Sequence, residues 1–191
     1  MRLFTGIDLP EPVRERLERL LMHLRPAAHL KWSPVYNLHL TLKFIGEWPE
    51  EKLPQLEQAL RSMPPRSPIA AELKGLGWFP NAHHPRVFWV GLQATDALAE
   101  LVRDTETALA PLGIAKDDRA FTAHLTLARI KDPVPLEPLR KAIAQLESME
   151  FGSFIADSFY LYRSQPGSAG SIYTKLSEYR FQADAGSHSA R

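Results

Sequence analysis

The chain has 191 residues, 45% hydrophobic and 24% charged, with a formal net charge of +1. This composition predicts a globular protein and lacks the basic excess of proteins that coat nucleic acid, so any nucleic-acid contact should be local. Cysteine is absent, which excludes disulfides and thiolate metal sites. No apolar run approaches the ~20 residues of a membrane span, and the first residues do not resemble a signal peptide. We therefore expect a cytoplasmic protein that does not bind membranes.

Strand and helix patterns mix along the chain. A strand over 2–8 and a helix over 12–24 precede a proline-marked connection, and the next strand covers about 37–45. A helix over 49–63 and strands over 69–79 and 86–92 follow, before a long helix that Thr95 or Asp96 caps. A strand over 121–129, a helix over 135–147 and strands over 151–163 and 171–181 complete the order.

This order predicts an α+β fold with largely antiparallel sheets, because the strands do not alternate regularly with crossover helices. The two halves resemble each other, since each has a His-x-Thr strand, then a helix, then two strands. We expect one domain over residues 1–182. The small, polar residues 183–191 predict a flexible tail.

The tetrapeptide HLTL occurs twice, at 39–42 and at 124–127. Residues two apart on a strand point to the same face. Strict alternation places Leu38, Leu40, Leu42 and Phe44 in the core, with His39, Thr41 and Lys43 opposite; likewise Phe121, Ala123, Leu125 and Leu127 lie opposite Thr122, His124 and Thr126. Each strand should thus present an imidazole and a hydroxyl about 6.6 Å apart between Cα atoms.

Two such pairs across a cleft suit a reaction that needs a general base and a general acid around a tetrahedral anion. Imidazole exchanges protons near neutral pH, and a threonine hydroxyl can donate to an anionic oxygen. Phosphodiester cleavage needs these groups, and each proton transfer typically contributes ~10²–10⁴ in rate. A single His-x-Thr is most often a surface pair, but two copies in corresponding places favour function.

Metal binding is the rival explanation for the histidines. A catalytic zinc site usually has three protein ligands, and neither motif supplies a second His or a carboxylate two residues on. His83 and His84 lie in a proline-bounded turn, and His23 and His29 lie in or after a helix. We therefore expect no metal and no other cofactor.

Five segments, in order, resemble the two-histidine (2H) phosphoesterases, and most closely their RNA 2′,3′-cyclic phosphodiesterase branch, historically called 2′-5′ RNA ligase. The segments are RLFTGIDLP, NLHLTLKFIGE, GLGWFP with PRVFWVGL, FTAHLTLARI and LYRSQPGSAGSIYTKL. The resemblance runs from about Arg2 to Phe181 and implies a bilobal α+β fold. It also implies pseudo-twofold symmetry, outer helices and a central cleft.

The resemblance also implies roles for individual residues. His39 would be the general acid that protonates the leaving 3′-oxygen, and His124 the general base that activates water, giving a 2′-phosphomonoester. Thr41 and Thr126 would hold phosphate oxygens. Arg129 matches a family arginine near the phosphate, although alternation places it on the core face, so it needs a bulge or the strand end to turn inward.

Other matches are weaker. Tyr173 and Ser164 match family positions in the last hairpin, where packing alone also explains them. Ala123 departs from the family, which commonly has proline before the second histidine; the catalytic atoms are unchanged. Trp32, Trp78 and Phe79 are candidates for stacking on a base, and core packing is the better explanation for at least two.

Several functional alternatives stay open. The expected partners are RNA 3′ ends or small cyclic-phosphate nucleotides, and a monomer is the default. Reversible 2′-5′ ligation, hydrolysis of another cyclic phosphate, or a non-catalytic module that binds nucleotides or RNA ends would use the same residues.

Overall fold

Residues 1–182 are described by a computed structural model of the chain. The helices are α1 (Glu11–Leu24), α2 (Leu53–Arg61), α3 (Asp96–Leu109) and α4 (Glu137–Ala144). The strands are β1 (Arg2–Ile7), β2 (Lys31–Trp32), β3 (Leu40–Glu47), β4 (Ile69–Phe79), β5 (Val87–Ala94), β6 (His124–Arg129), β7 (Glu150–Ala156), β8 (Ser158–Gly167) and β9 (Gly170–Arg180). The predicted tail, 183–191, lies outside the described residues.

Two antiparallel sheets form the two lobes, which confirms the predicted α+β class. The first sheet has the order β3-β1-β8-β9 and the second the order β2-β6-β5-β4-β7. Both halves of the chain contribute to both sheets, because β1 pairs with the late strand β8 in the first sheet, while the early strand β4 pairs with the late strand β7 in the second. The lobes are therefore interleaved and do not correspond to the two halves of the sequence.

The helices cover the outer sides of the sheets. Helix α1 packs on β7 and α4, while α2 packs on β9 and α3 packs on β3. Helices α1, α2 and α3 each bury a leucine-rich face, such as Leu17, Leu21 and Leu24 of α1, which are fully buried. This spacing is the period expected of an amphipathic helix. The four helices therefore lie around the two sheets.

Three predicted elements are wrong in detail. The stretch 151–163 is two strands in different sheets, with the break at Asp157. The connection after α1 contains the short strand β2, which adds an edge strand to the second sheet. The strand predicted from residue 121 starts only at His124, and Phe121, predicted to be buried, is 37% exposed.

Thr95 stands at the N-cap of α3 but makes no side-chain capping hydrogen bond. No helix within residues 1–182 is long and apolar enough to cross a membrane.

Candidate active site

The strands that carry the two HLTL motifs contact each other although they belong to different sheets. β3 is the edge of the first sheet and β6 lies in the second, and the two strands meet between the lobes. His39 immediately precedes β3, and His124 begins β6. The structure therefore brings both motifs to the region where the lobes join.

Both histidine rings are held by the same hydrogen bond. Nδ1 of His39 lies 2.7 Å from the carbonyl oxygen of Asn37, and Nδ1 of His124 lies 2.7 Å from that of Thr122. A carbonyl oxygen only accepts, so Nδ1 of each ring carries a proton. Nε2 is then the atom of each neutral ring that is free to accept a proton.

The threonine of the first motif lies beside its histidine. Oγ1 of Thr41 is 3.0 Å from Nε2 of His39. Its hydroxyl donates to the neutral ring and accepts from the protonated one. Thr126 occupies the matching place after His124 and is likewise half-buried. The predicted presentation of an imidazole and a hydroxyl on one face is confirmed in both strands.

A β-bulge in each motif strand breaks the alternation that the sequence predicts. In β3, Thr41 pairs with Gly6 and Lys43 with Thr5, so Leu42 is the extra residue. In β6, Thr126 pairs with Trp89 and Ala128 with Phe88, so the extra residue is Leu127. One extra residue reverses the facing of the residues that follow it, and in β3 this holds up to a second irregularity at Ile45.

The bulges correct two predictions and satisfy a third. Lys43 points into the core and is only 2% exposed, whereas Phe44 lies on the side of Thr41 and is 60% exposed. Both assignments from strict alternation were wrong. Arg129 turns to the side of Thr126 and is exposed, with Val87 as its strand partner. The bulge that Arg129 required is present.

Aromatic side chains surround His39. Phe4 stacks on its ring at 4.8 Å, and Tyr173 meets the ring edge-on at 4.9 Å. Tyr162 stacks on Phe4 at 4.9 Å and lies 5.9 Å from the ring of His39. Gly6 leaves room for this cluster, since a Cβ there would lie 3.3 Å from Tyr162 and 2.8 Å from the Leu40 carbonyl oxygen. Tyr173, a family match in the sequence, thus contacts the first histidine.

A second aromatic wall lies beside His124. Phe79 meets its ring edge-on at 4.9 Å and contacts Trp89 at 5.1 Å. Trp32 and Trp78, the other stacking candidates, instead contact Phe88 in the core. The expectation that core packing explains at least two of the three is confirmed.

A charged network lies next to His39 in a cavity of about 400 Å³. Asp8 forms ion pairs with Arg14 and Lys175. Burial alone would raise the pKa of Asp8, but the hydrogen bond from Lys175 and the charge of Arg14 outweigh it and lower that pKa. Arg14 also donates to the carbonyl oxygens of Leu9 and Val35 at 3.1 and 2.8 Å. The network fixes the segment that leads to His39.

The environment of His39 favours the neutral ring. Burial lowers its pKa below the ordinary value of 6.5, and the hydrogen bond to Asn37 and the charge of Asp8 only partly oppose this. Within residues 1–182, no group of three or more His, Asp or Glu side chains is arranged to hold a metal ion. His83 and His84 lie exposed in a loop, where their main-chain N–H groups donate to Asn81.

Comparison with known proteins assigns the chain to a family. The family model described as LigT like phosphoesterase matches residues 7–89 and again 90–173. The chain belongs to the LigT-like phosphoesterases. The double match also agrees with the two motif-bearing halves of the sequence. The resemblance to the 2H phosphoesterases is confirmed.

Relatives of this LigT-like phosphoesterase, and solved structures similar to it, match nearly its whole length. An RNA 2′,3′-cyclic phosphodiesterase of Thermus thermophilus is 36% identical, over 100% of this chain and 96% of the relative. A crystal structure of a Thermus thermophilus protein matches with a TM-score of 0.80 at 33% identity, covering 96% and 100% of the two chains. Escherichia coli LigT complexed with 3′-AMP matches with a TM-score of 0.75 at 27% identity, covering 94% and 97%.

Proposed function

We propose that this LigT-like phosphoesterase opens terminal 2′,3′-cyclic phosphodiesters of RNA or nucleotides and releases 2′-phosphomonoesters. The observation that carries the proposal is the matched pair of histidines. Each has Nδ1 tied to a main-chain carbonyl, and the strands that carry them are in contact. The names of the relatives and the nucleotide bound to E. coli LigT support the substrate class.

The reaction needs one proton taken and one given. In the proposed direction, Nε2 of neutral His124 accepts a proton from water as the water oxygen attacks phosphorus. The bond between phosphorus and O3′ breaks, and Nε2–H of protonated His39 gives its proton to O3′. The product carries its phosphate on O2′. The enzyme ends with His124 charged and His39 neutral, and exchange with solvent restores the starting state.

The remaining motif residues would stabilise negative charge on the phosphoryl oxygens. The hydroxyls of Thr41 and Thr126 donate hydrogen bonds to these oxygens, and the exposed guanidinium of Arg129 supplies a permanent positive charge. Donors and charges placed where negative charge develops lower the barrier of the reaction. The exposed ring of Phe44, beside Thr41, offers a surface on which a nucleobase can stack.

The experiment compares turnover of a 2′,3′-cyclic nucleotide, and of a short RNA ending in a cyclic phosphate, in excess EDTA. We expect full activity of the wild type and of His29→Ala, an exposed histidine outside the site. His39→Ala and His124→Ala should each lose at least about 10²-fold. Phosphorus NMR should show a 2′-phosphomonoester as product.

Three results would contradict the proposal. Full activity in a folded His39→Ala or His124→Ala variant would show that the reaction does not need the pair of histidines as acid and base. Loss of wild-type activity in EDTA would indicate a metal-dependent reaction. Tight binding of cyclic nucleotides without any turnover would instead favour a non-catalytic binding module.

A further inference from the structure

Lys43 is a buried cation that the proposed reaction does not use. It is 2% exposed, and the bulge at Leu42 turns it away from the cleft, onto the side of Thr5. Burying an ammonium group is costly unless it is paired and hydrogen-bonded. Lys43 therefore needs charged and hydrogen-bonding partners that compensate for its burial.

Three oxygens surround the ammonium group. Nζ of Lys43 lies 3.0 Å from Oε1 of Glu106, 3.0 Å from Oδ1 of Asp117 and 2.7 Å from the carbonyl oxygen of Ala115. The ammonium group donates hydrogen bonds to Glu106 and Ala115 and forms an ion pair with Asp117. Glu106 belongs to α3, while Ala115 and Asp117 belong to the connection between α3 and β6.

The same contacts extend to the main chain of the connection. The N–H of Asp117 donates to Oε1 of Glu106 at 2.9 Å. Burial alone would raise the pKa of Glu106, but this hydrogen bond and the ion pair with Lys43 lower it. Glu106 therefore stays ionised and continues to hold both Lys43 and the connection at neutral pH.

The connection leads directly to the second histidine. Residues 114–123 form neither helix nor strand. Thr122, whose carbonyl oxygen accepts the Nδ1–H of His124, lies five residues after Asp117. The position in β6 that matches Lys43 is the small Ala128, so the second motif has no equivalent anchor. For the first motif, Arg14 holds the segment before the histidine in a comparable way, because it donates a hydrogen bond to the carbonyl oxygen of Val35, shortly before His39.

We propose that Lys43, on the strand of the first motif, is a positioning residue for the histidine of the second. By holding Ala115 and Asp117, it fixes the path of the chain to Thr122, and Thr122 fixes the ring of His124. The catalytic part of this inference rests on the proposed function. A misplacement of about 1 Å in a catalytic group can reduce the rate on the order of 10²-fold, so the anchor should matter although it touches no substrate.

The test separates positioning from simple stabilisation. Lys43→Met removes the charge and keeps the length of the side chain. Arg66→Met is the matched control, because Arg66 pairs at 2.7 Å with Asp104, which lies on the same helix as Glu106 but does not touch the connection. A third variant, Lys43→Met/Glu106→Gln/Asp117→Asn, removes the unpaired carboxylates and should recover most of the stability that Lys43→Met loses.

Kinetics give the first readout. We expect kcat of Lys43→Met and of the triple variant to fall about tenfold or more, with KM within about twofold, since Lys43 does not line the cleft. Arg66→Met should keep the wild-type kcat, and Lys43→Arg should recover part of it. If kcat of the triple variant returns to the wild-type value together with its melting temperature, Lys43 only stabilises the fold and the inference is wrong.

Two measurements do not depend on turnover. Hydrogen exchange of peptides covering 114–123 should be about tenfold faster in Lys43→Met than in Arg66→Met. Nitrogen NMR should show that His124 no longer keeps the Nδ1–H tautomer alone. Equal exchange and an unchanged tautomer would overturn the inference, even if the wild type proved inactive on cyclic phosphates. Such inactivity alone would contradict only the proposed function.

Discussion

Replacing Phe44 by alanine distinguishes the bulged strand from a regular one. Regular alternation buries Phe44, and removing a buried phenylalanine costs ~3–5 kcal/mol of stability. In the structure Phe44 is 60% exposed. Its partner on the neighbouring strand β1 is Phe4, and the two ring centres are 6.0 Å apart. A bulged β3 and a regular β3 therefore predict different losses of stability for Phe44→Ala.

The magnitude follows from the exposure. Full burial of a phenylalanine side chain stabilises by ~1.5–3 kcal/mol, and Phe44 has roughly two fifths of its surface out of water. We therefore expect Phe44→Ala to lower the free energy of unfolding by about 1 kcal/mol. The matched control is Leu42→Ala, because Leu42 is 3% exposed and its truncation should cost ~2–5 kcal/mol.

The functional effect should be larger than the structural one. Stacking of a base on an aromatic side chain contributes ~1–3 kcal/mol, which is roughly a 5- to 150-fold change in affinity. We expect Phe44→Ala to lower kcat/KM for a purine 2′,3′-cyclic nucleotide within this range, mainly through KM, and to affect a pyrimidine less. Phe44→Trp should keep the activity.

Urea unfolding and steady-state kinetics check both parts. A loss of more than about 2.5 kcal/mol in Phe44→Ala would show that the ring is buried and that β3 is not bulged at Leu42. An unchanged kcat/KM in a stable variant would show that the exposed ring does not contact the substrate.

Three further predictions concern the histidines, the second sheet and the phosphate. Burial lowers the pKa of His39 below the ordinary value of 6.5, and the protonated acid is lost as the pH rises through that lowered pKa. The falling limb of the pH profile of kcat/KM should therefore lie below pH 6.5. A falling limb well above that pH would contradict the role of His39. Gly77→Ala should lower the free energy of unfolding in urea by ~1–3 kcal/mol, because its Cβ would lie 2.2 Å from the Trp89 ring. The double variant Gly77→Ala/Trp89→Leu should recover part of that loss. Arg129→Ala should lower kcat/KM at least about tenfold while leaving the melting temperature within a few degrees, since its side chain is exposed; unchanged kinetics would place Arg129 away from the phosphate.

Much of the site could be predicted from the sequence because its signals are local. The HLTL repeat has leucines at alternate positions, which predicts that the leucines pack in the core and that the histidine and threonine lie on the open face of each strand. His39, Thr41, His124 and Thr126 therefore lie on the side that was expected of them. The roles of these residues in a reaction remain proposals.

Other features depend on pairing between distant strands. No local pattern marks Leu42 and Leu127 as the extra residues, since a bulge exists only relative to the partner strand. Alternation places Lys43 on the open face of the strand, and an exposed position is usual for lysine, so nothing in the sequence near position 43 predicts its burial. The carboxylates of Glu106 and Asp117 and the carbonyl oxygen of Ala115 make its burial possible, and all three lie more than sixty residues further along the chain.

The sequence by itself determined the α+β class, the paired motifs and the side each imidazole presents, because these follow from residue periods of two and of 3.6 along the chain. Tertiary structure alone decided that both halves contribute to both lobes, that Phe44 and Arg129 turn toward the cleft, and that Lys43 is buried beneath it. The physical reason is that register and burial are properties of two segments together, so a single segment cannot specify them.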